Sequence, residues 1–331
     1  MFGEYSNIAI RGIVSVVPTT NIENLDCESD ELSLKKIKKQ IKLTGIERRR
    51  VLSGVQTASD LATKAAEKLI NELKWDKDSI KFIIYVTQAP DLEIPSTALL
   101  IQKRLQIGTD CLAFDVNLGC SGYVAGIQIA AGLIHEIGGR ALLLAADGRS
   151  DSKRQNAADY LLFGNAGTAT AIETEEQHKL MYQQQSDGSR WQTIYRELGG
   201  STVMDGNAVF AFTINDVADC IKQTMEHFSL NIDDIDYFAF HQGQKMIIDN
   251  LAEICGIPLN KMLYSLKNYG NTSCASIPLS ICDDVRKIKP QRQVRMYLCG
   301  FGVGLSWGSN IFKMDTDHIM EIHESNIHYT D

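Results

Sequence analysis

Short apolar runs alternate along this chain with longer amphipathic stretches, and the two periods predict different elements. The short runs predict strands over 7–17, 81–87, 111–116, 141–146, 168–172, 237–240, 294–299 and 307–313. The longer stretches, apolar on one side, predict helices over 58–73, 96–105, 121–137, 215–228, 245–255 and 273–287. Gly138 and Gly139 close the third helix, as glycine does where a left-handed stop is needed. Strands interleaved with helices in this way belong to the α/β class.

The pattern also repeats. IIYVTQ (83–88) lies over YFAFHQ (237–242), placing Thr87 over His241. NLGCSGYVAGIQIAAGLI (117–134) lies over NYGNTSCASIPLSICDDV (268–285), so that Asn117 meets Asn268, Gly119 meets Gly270 and Cys120 meets Asn271. GRALLLAAD (139–147) lies over RQVRMYLCG (292–300). One unit used twice predicts two similar halves, 1–173 and 174–314. The polar, acidic stretch 173–179 reads as their connection, and 315–331 as a polar C-terminal tail.

Composition narrows the class. The 331 residues are enough for two such halves, and a 44% hydrophobic share is enough to fill their cores. No apolar run reaches the roughly 20 residues of a membrane span, and MFGEYSNIAIRG lacks the basic and apolar regions of a signal peptide. Eight cysteines, none in a CxxC pair, predict a reducing cytoplasm and neither a disulfide framework nor a zinc site. A net charge of −8 argues against nucleic-acid binding.

The matched positions carry the chemistry. The repeat puts His241 at the carboxyl end of a strand, and Cys120 and Asn271 at the starts of two helices, where α/β folds build their sites. A helix start favours thiolate over thiol, so Cys120 is expected to be an ionised nucleophile. Its own backbone N–H is a candidate oxyanion donor. His241 can donate to a developing enolate or exchange a proton, and the Asn271 carboxamide supplies a second donor. GFGVGLSWG (300–308) is a glycine-rich turn without the GK[ST] ending of a phosphate loop.

FDVNLGCSGY, FHQ, NYGNTSCASIPLSI and GFGVGLSWGS resemble, in order and spacing, the motif regions of ketoacyl-ACP synthase III enzymes. TGIERRR (44–50), DLEIPSTALLIQKRLQI (91–107) and LLFGNAGTATAI (161–172) are similar to that family as well, and the resemblance runs from Asn7 to Met314. It implies a thiolase fold, with two pseudo-symmetric halves in a five-layer α/β/α/β/α arrangement, working as a homodimer. It implies that Cys120 is acylated by a thioester, that His241 and Asn271 stabilise the enolate of a decarboxylating malonyl thioester, and that the backbone N–H groups of Cys120 and Val303 form an oxyanion hole. Ile94 would complete the partner's acyl pocket. The implied partners are acyl carrier protein and acyl-CoA thioesters, with no cofactor and no metal.

Departures from the pattern accompany it. Lys39, Leu43 and Ala157 occupy the places where the family clamps the adenine of CoA. Ala211, Met246, Glu253 and Ile254 occupy its basic carrier-docking positions, with only Lys245 nearby. Gln88 stands where hydroxymethylglutaryl-CoA synthases of the same fold carry a titrating glutamate. The alternative reading is an acyltransferase that moves the acyl group from Cys120 to an amine or hydroxyl without decarboxylation.

Overall fold

The computed structural model describes residues 1–29, 32–148, 160–198, 200, 202–288 and 293–330. In the first half, β1 (Phe2–Pro18) leads through β2 (Asn21–Glu23), α1 (Leu34–Thr44) and β3 (Arg48–Arg50) to α2 (Ala58–Leu73). There follow β4 (Ile80–Val86), α3 (Thr97–Leu105), β5 (Leu112–Val116), α4 (Gly122–Ile137), β6 (Arg140–Ala146) and β7 (Gly167–Ser186). The second half holds the short pair β8 (Ile194–Arg196) and β9 (Thr202–Met204), then α5 (Gly206–Phe212), α6 (Ala218–His227), β10 (Tyr237–Phe240) and α7 (Lys245–Ile254). It ends with α8 (Ser276–Asp283), β11 (Gln293–Gly302), β12 (Ser306–Asp315) and β13 (His323–Ser325).

The alternation of side chains along the strands builds the layers. Ile83 and Tyr85 of β4 pack on α2 and α3, whereas Phe82, Ile84 and Val86 face α4. In β11, Met296 and Leu298 face α4 and α8, whereas Tyr297 and Cys299 face α6 and α7. Helices on either side of two sheets, with α4 and α8 between them, give the five-layer thiolase fold.

The two sheets share a strand pair. Residues 167–173 of β7 pair with β6, and residues 180–186 pair with β12; β1 runs antiparallel along β7 through both stretches. The expected connection at 173–179 is therefore the middle of β7. Its polar residues mark an exposed bend, where Gln177 and its neighbour Asn7 in β1 take positive φ and the ladder shifts register. The repeat reappears in the pairing. Parallel β4–β6 corresponds to β10–β11, and the counterpart of β5 is reduced to one bridge, Phe238 to Met262.

Helix α1 was not foreseen. It carries five exposed lysines, and its apolar positions Leu34, Ile37 and Ile41 recur at helical spacing, with Ile37 the one that is fully buried. The predicted 215–228 helix begins earlier, because α5 continues through a π-turn (Thr213–Val217) into α6. The tail is polar but docked. β13 pairs with β1, and Asp60, fully buried, accepts the Tyr329 N–H at 3.1 Å and meets His328 Nδ1 at 2.9 Å. Among the described residues no helix is long and apolar enough to cross a membrane.

Candidate active site

Each site residue sits where a strand ends or a helix is about to begin. Cys120 lies in a 3-10 turn (Gly119–Ser121) that feeds α4, one turn ahead of the helix proper. Gly119 takes φ +52°, a conformation that favours glycine, and a Cβ there would meet the flexible end of Gln88 at 2.6 Å. Asn271 occupies the corresponding place. It follows Gly270 at φ +70° and precedes a 3-10 turn (Ser273–Ala275) that feeds α8. His241 follows β10, its backbone N–H donating to Cys299 O at 2.8 Å.

Ser273 ties the three together. Its hydroxyl lies 3.8 Å from Cys120 Sγ, its backbone N–H donates to Asn271 Oδ1 at 2.9 Å, and its backbone hydrogen-bonds the His241 ring. Holding Asn271 by its oxygen leaves the amide N–H₂ as the end available to a ligand. Ser273 adopts φ +53°, an uncommon conformation for a residue with a side chain.

The ring of His241 is also fixed from behind. Its Nδ1 lies 2.9 Å from Ser276 Oγ, which accepts the Gln242 backbone N–H at 3.2 Å. In the tautomer in which the Ser276 hydroxyl donates to Nδ1, Nε2 carries the ring hydrogen. Burial pushes the His241 pKa down to about 4, against the opposing hydrogen bond to Ser273, so the imidazole is neutral near pH 7. The Phe301 ring packs edge-on against it at 5.5 Å, and the next residue, Gly302, abuts Cys120. A Cβ on Gly302 would meet Cys120 Cβ at 2.8 Å and Sγ at 3.4 Å.

Cys120 departs from the expectation of a resting thiolate. Desolvation, with a smaller contribution from the nearby Asp147, pushes its pKa up to about 12, and the Ser273 hydroxyl only partly offsets this. The resting site holds a thiol and a neutral imidazole, both in contact with Ser273. Over the whole residue, backbone included, Cys120 is partly buried.

The remaining predicted residues are dispersed. Val303 lies in the turn between β11 and β12, its carbonyl accepting the Ser306 hydroxyl at 2.6 Å. Ile94 is 86% exposed in the loop before α3. Lys39 and Leu43 are exposed on α1, and Ala157 lies outside the described residues. Met246 and Ile254 present apolar surface on α7, while Lys245 pairs with Asp249. His318 approaches Glu72 and His328 approaches Asp60, so these two tail histidines have separate partners.

Two residues escaped the sequence reading, Ser273 and Asp147. Asp147 ends β6 at the position matched to Gly300, and a carboxylate at a strand terminus beside the Cys120 turn was the available signal. Arg49, in the TGIERRR stretch, is fully buried. It donates to Asn24 Oδ1 at 2.7 Å and braces the Gly270 turn with its side chain.

Comparison with known proteins identifies the family of the chain. The family described as 3-oxoacyl-[acyl-carrier-protein (ACP)] synthase III matches residues 114–188, and its C-terminal counterpart matches 225–314. The β-ketoacyl-[acyl-carrier-protein] synthase III of Streptococcus equi subsp. zooepidemicus (strain H70) is 35% identical over 289 residues, covering 82% of this chain and 89% of that protein. A 3-oxoacyl-(acyl-carrier protein) synthase from Burkholderia xenovorans LB400 superposes with a TM-score of 0.91 at 31% identity, over 98% of this chain and 99% of that one. The 3-oxoacyl-[acyl-carrier-protein] synthase III of Aquifex aeolicus VF5 gives 0.84 at 25% identity, over 92% and 99%.

Proposed function

The chain belongs to the 3-oxoacyl-[acyl-carrier-protein] synthase III family, and from that premise we propose the residues and steps of its condensation. It is an acyltransferase of the condensing type. Cys120 takes an acyl group from a thioester donor. A malonyl thioester on acyl carrier protein then loses carbon dioxide, and the resulting carbanion attacks the acyl-Cys120 carbonyl to give a β-ketoacyl thioester.

The observation that carries this reading is the gathering of Cys120, Asn271 and His241 around one residue, Ser273. A neutral imidazole with hydrogen on Nε2, beside a carboxamide held by its oxygen, offers two N–H donors to an enolate oxygen. Such a hole favours the charge that develops on decarboxylation. The backbone N–H groups of Cys120 and Val303 serve the tetrahedral intermediate; the contact of Gly302 with the sulfur supports that placement.

The working form is a homodimer. β5 ends its sheet with β4 as its paired strand, and Leu92, Ile94, Leu99 and Leu112 are exposed around that edge, a surface that a second copy would cover. Ile94 then reaches the partner's acyl pocket. Carrier proteins are acidic, and the five lysines of α1 supply positive charge that the α7 positions lack. The site of action is the cytoplasm.

Intact-protein mass spectrometry after incubation with a panel of acyl-CoA and acyl-carrier donors is expected to show one acyl mass, localised to Cys120. Carbon dioxide release from malonyl-carrier then separates condensation from simple acyl transfer. Turnover to an amine or hydroxyl acceptor without carbon dioxide would replace this reading.

A further inference from the structure

Cys120 does not end the chain of contacts that begins at its sulfur. Ser273 Oγ donates to Asp147 Oδ2 at 2.6 Å. With its one proton committed to that carboxylate, Ser273 Oγ meets the thiol as an acceptor, across 3.8 Å. Asp147 is 9% exposed and stands at the end of β6. Its other oxygen accepts the Gln88 backbone N–H at 2.5 Å and the Thr87 hydroxyl at 3.3 Å. Sulfur, hydroxyl and carboxylate therefore form one line, brought together by a turn from the first half, a turn from the second half and a strand end.

We propose that Ser273 and Asp147 form a proton relay for Cys120, Ser273 touching the reacting sulfur and Asp147 acting through it as the proton store. The inference rests on the reading of Cys120 as the nucleophile. As Sγ bonds to the thioester carbonyl, its proton passes to Ser273 Oγ, and the Ser273 hydroxyl proton passes to Asp147 Oδ2. When the donor C–S bond breaks, the proton returns from Asp147 through Ser273 Oγ to the departing thiolate, restoring the carboxylate.

The surroundings suit a carboxylate that takes up a proton. Among the described residues, the ionisable groups that interact with it include Cys120, Cys274 and Tyr85, each of which would add negative charge if ionised. Burial raises the Asp147 pKa above the usual carboxylate range, which brings it toward the working pH of a proton acceptor. The relay also gives a reason for the unusual backbone of Ser273, since the left-handed turn coincides with a hydroxyl placed between sulfur and carboxylate.

The test needs no acyl donor. Iodoacetamide alkylates a cysteine with loss of iodide and of the thiol proton, and peptide mass spectrometry reads the rate at Cys120 alone. Over a pH series from 4 to 9 the wild-type rate is expected to rise as Asp147, raised above its ordinary range by burial, gives up its proton. Asp147→Asn is expected to lose that inflection and to react about a hundredfold more slowly at pH 7. A carboxylate that merely repelled the thiolate would give the opposite sign, and a variant reacting as fast as wild type or faster overturns the relay. Ser273→Gly, tolerated by the left-handed backbone, is expected to match Asp147→Asn, and the double variant to lose nothing more. Additive losses, or a wild-type Cys120 inert throughout this range, overturn the relay as well. The rate at the partly exposed Cys111 and the melting temperature report whether each variant is folded. Absence of condensation with a normal alkylation profile would count against the proposed function and leave the relay standing.

Discussion

The turns before Cys120 and Asn271 use the same backbone device for different ends. Each places a glycine of positive φ directly ahead of the site residue and a 3-10 turn ahead of a central helix. In the proposed mechanism the first delivers a nucleophile and the second a hydrogen-bond donor. They differ also in what hems them in: Gly119 is crowded by the flexible end of Gln88, whereas Gly270 lies 2.8 Å, as a Cβ would see it, from the Leu162 carbonyl. On the matched strands β6 and β11 the halves part again, Asp147 standing in sequence alignment with Gly300. Duplication supplies a common frame, and the chemistry resides where the copies have diverged.

The comparison breaks most severely at the nucleophile. Cys120→Ala is expected to lower condensation by on the order of 10⁴ or more, with no acyl mass on the protein. Asn271→Ala and His241→Ala on the other turn should behave differently. Each is expected to slow carbon dioxide release by about 10²–10³ while acyl loading of Cys120 persists, as measured by mass spectrometry and a decarboxylation assay. Loss of acyl loading in these variants would show that the two turns do not divide the labour.

The glycines sharpen the comparison in stability. Gly270→Ala combines a strained φ with a backbone clash and is expected to cost about 2–3 kcal/mol in urea unfolding. Gly119→Ala, where a Gln88 side chain can swing aside, is expected to cost about 1 kcal/mol. Equal costs would mean that the surroundings of the two turns do not matter.

A buried and a half-buried titrating group of the second half give slopes of opposite sign. His241, lowered to about 4, binds fewer protons when folded than unfolded between pH 4 and its ordinary 6.5. Its contribution is fully present above pH 6.5 and is lost as acid is added toward pH 4; His241→Gln should flatten that limb of a melting-temperature profile. Asp283, raised to about 7 by burial and by the neighbouring Asp284, binds more protons when folded between its ordinary 3.8 and pH 7, so stability falls as pH rises through that window. Asp283→Asn is expected to stabilise the protein at pH 8 by about 1 kcal/mol, after discounting for solvent screening.

Much of this was legible beforehand. The helix Ala58–Leu73 and the strand Tyr237–Phe240 fall where the apolar periods place them, because their buried faces leave an unbroken local signal. The aligned glycines Gly119 and Gly270 both take positive φ, since a left-handed turn restricts which residues can stand there. What local pattern could not carry was decided by the fold. β7 crosses from one sheet to the other through a polar bend, because pairing with β1 continues where burial does not. The ionisation of Cys120 follows from enclosure and from Asp147, both set by packing, and these outweigh the adjacent helix start. Ser273 and Asp147 are 126 residues apart in the chain, and only the closing of one half on the other brings a hydroxyl of the second against a carboxylate of the first.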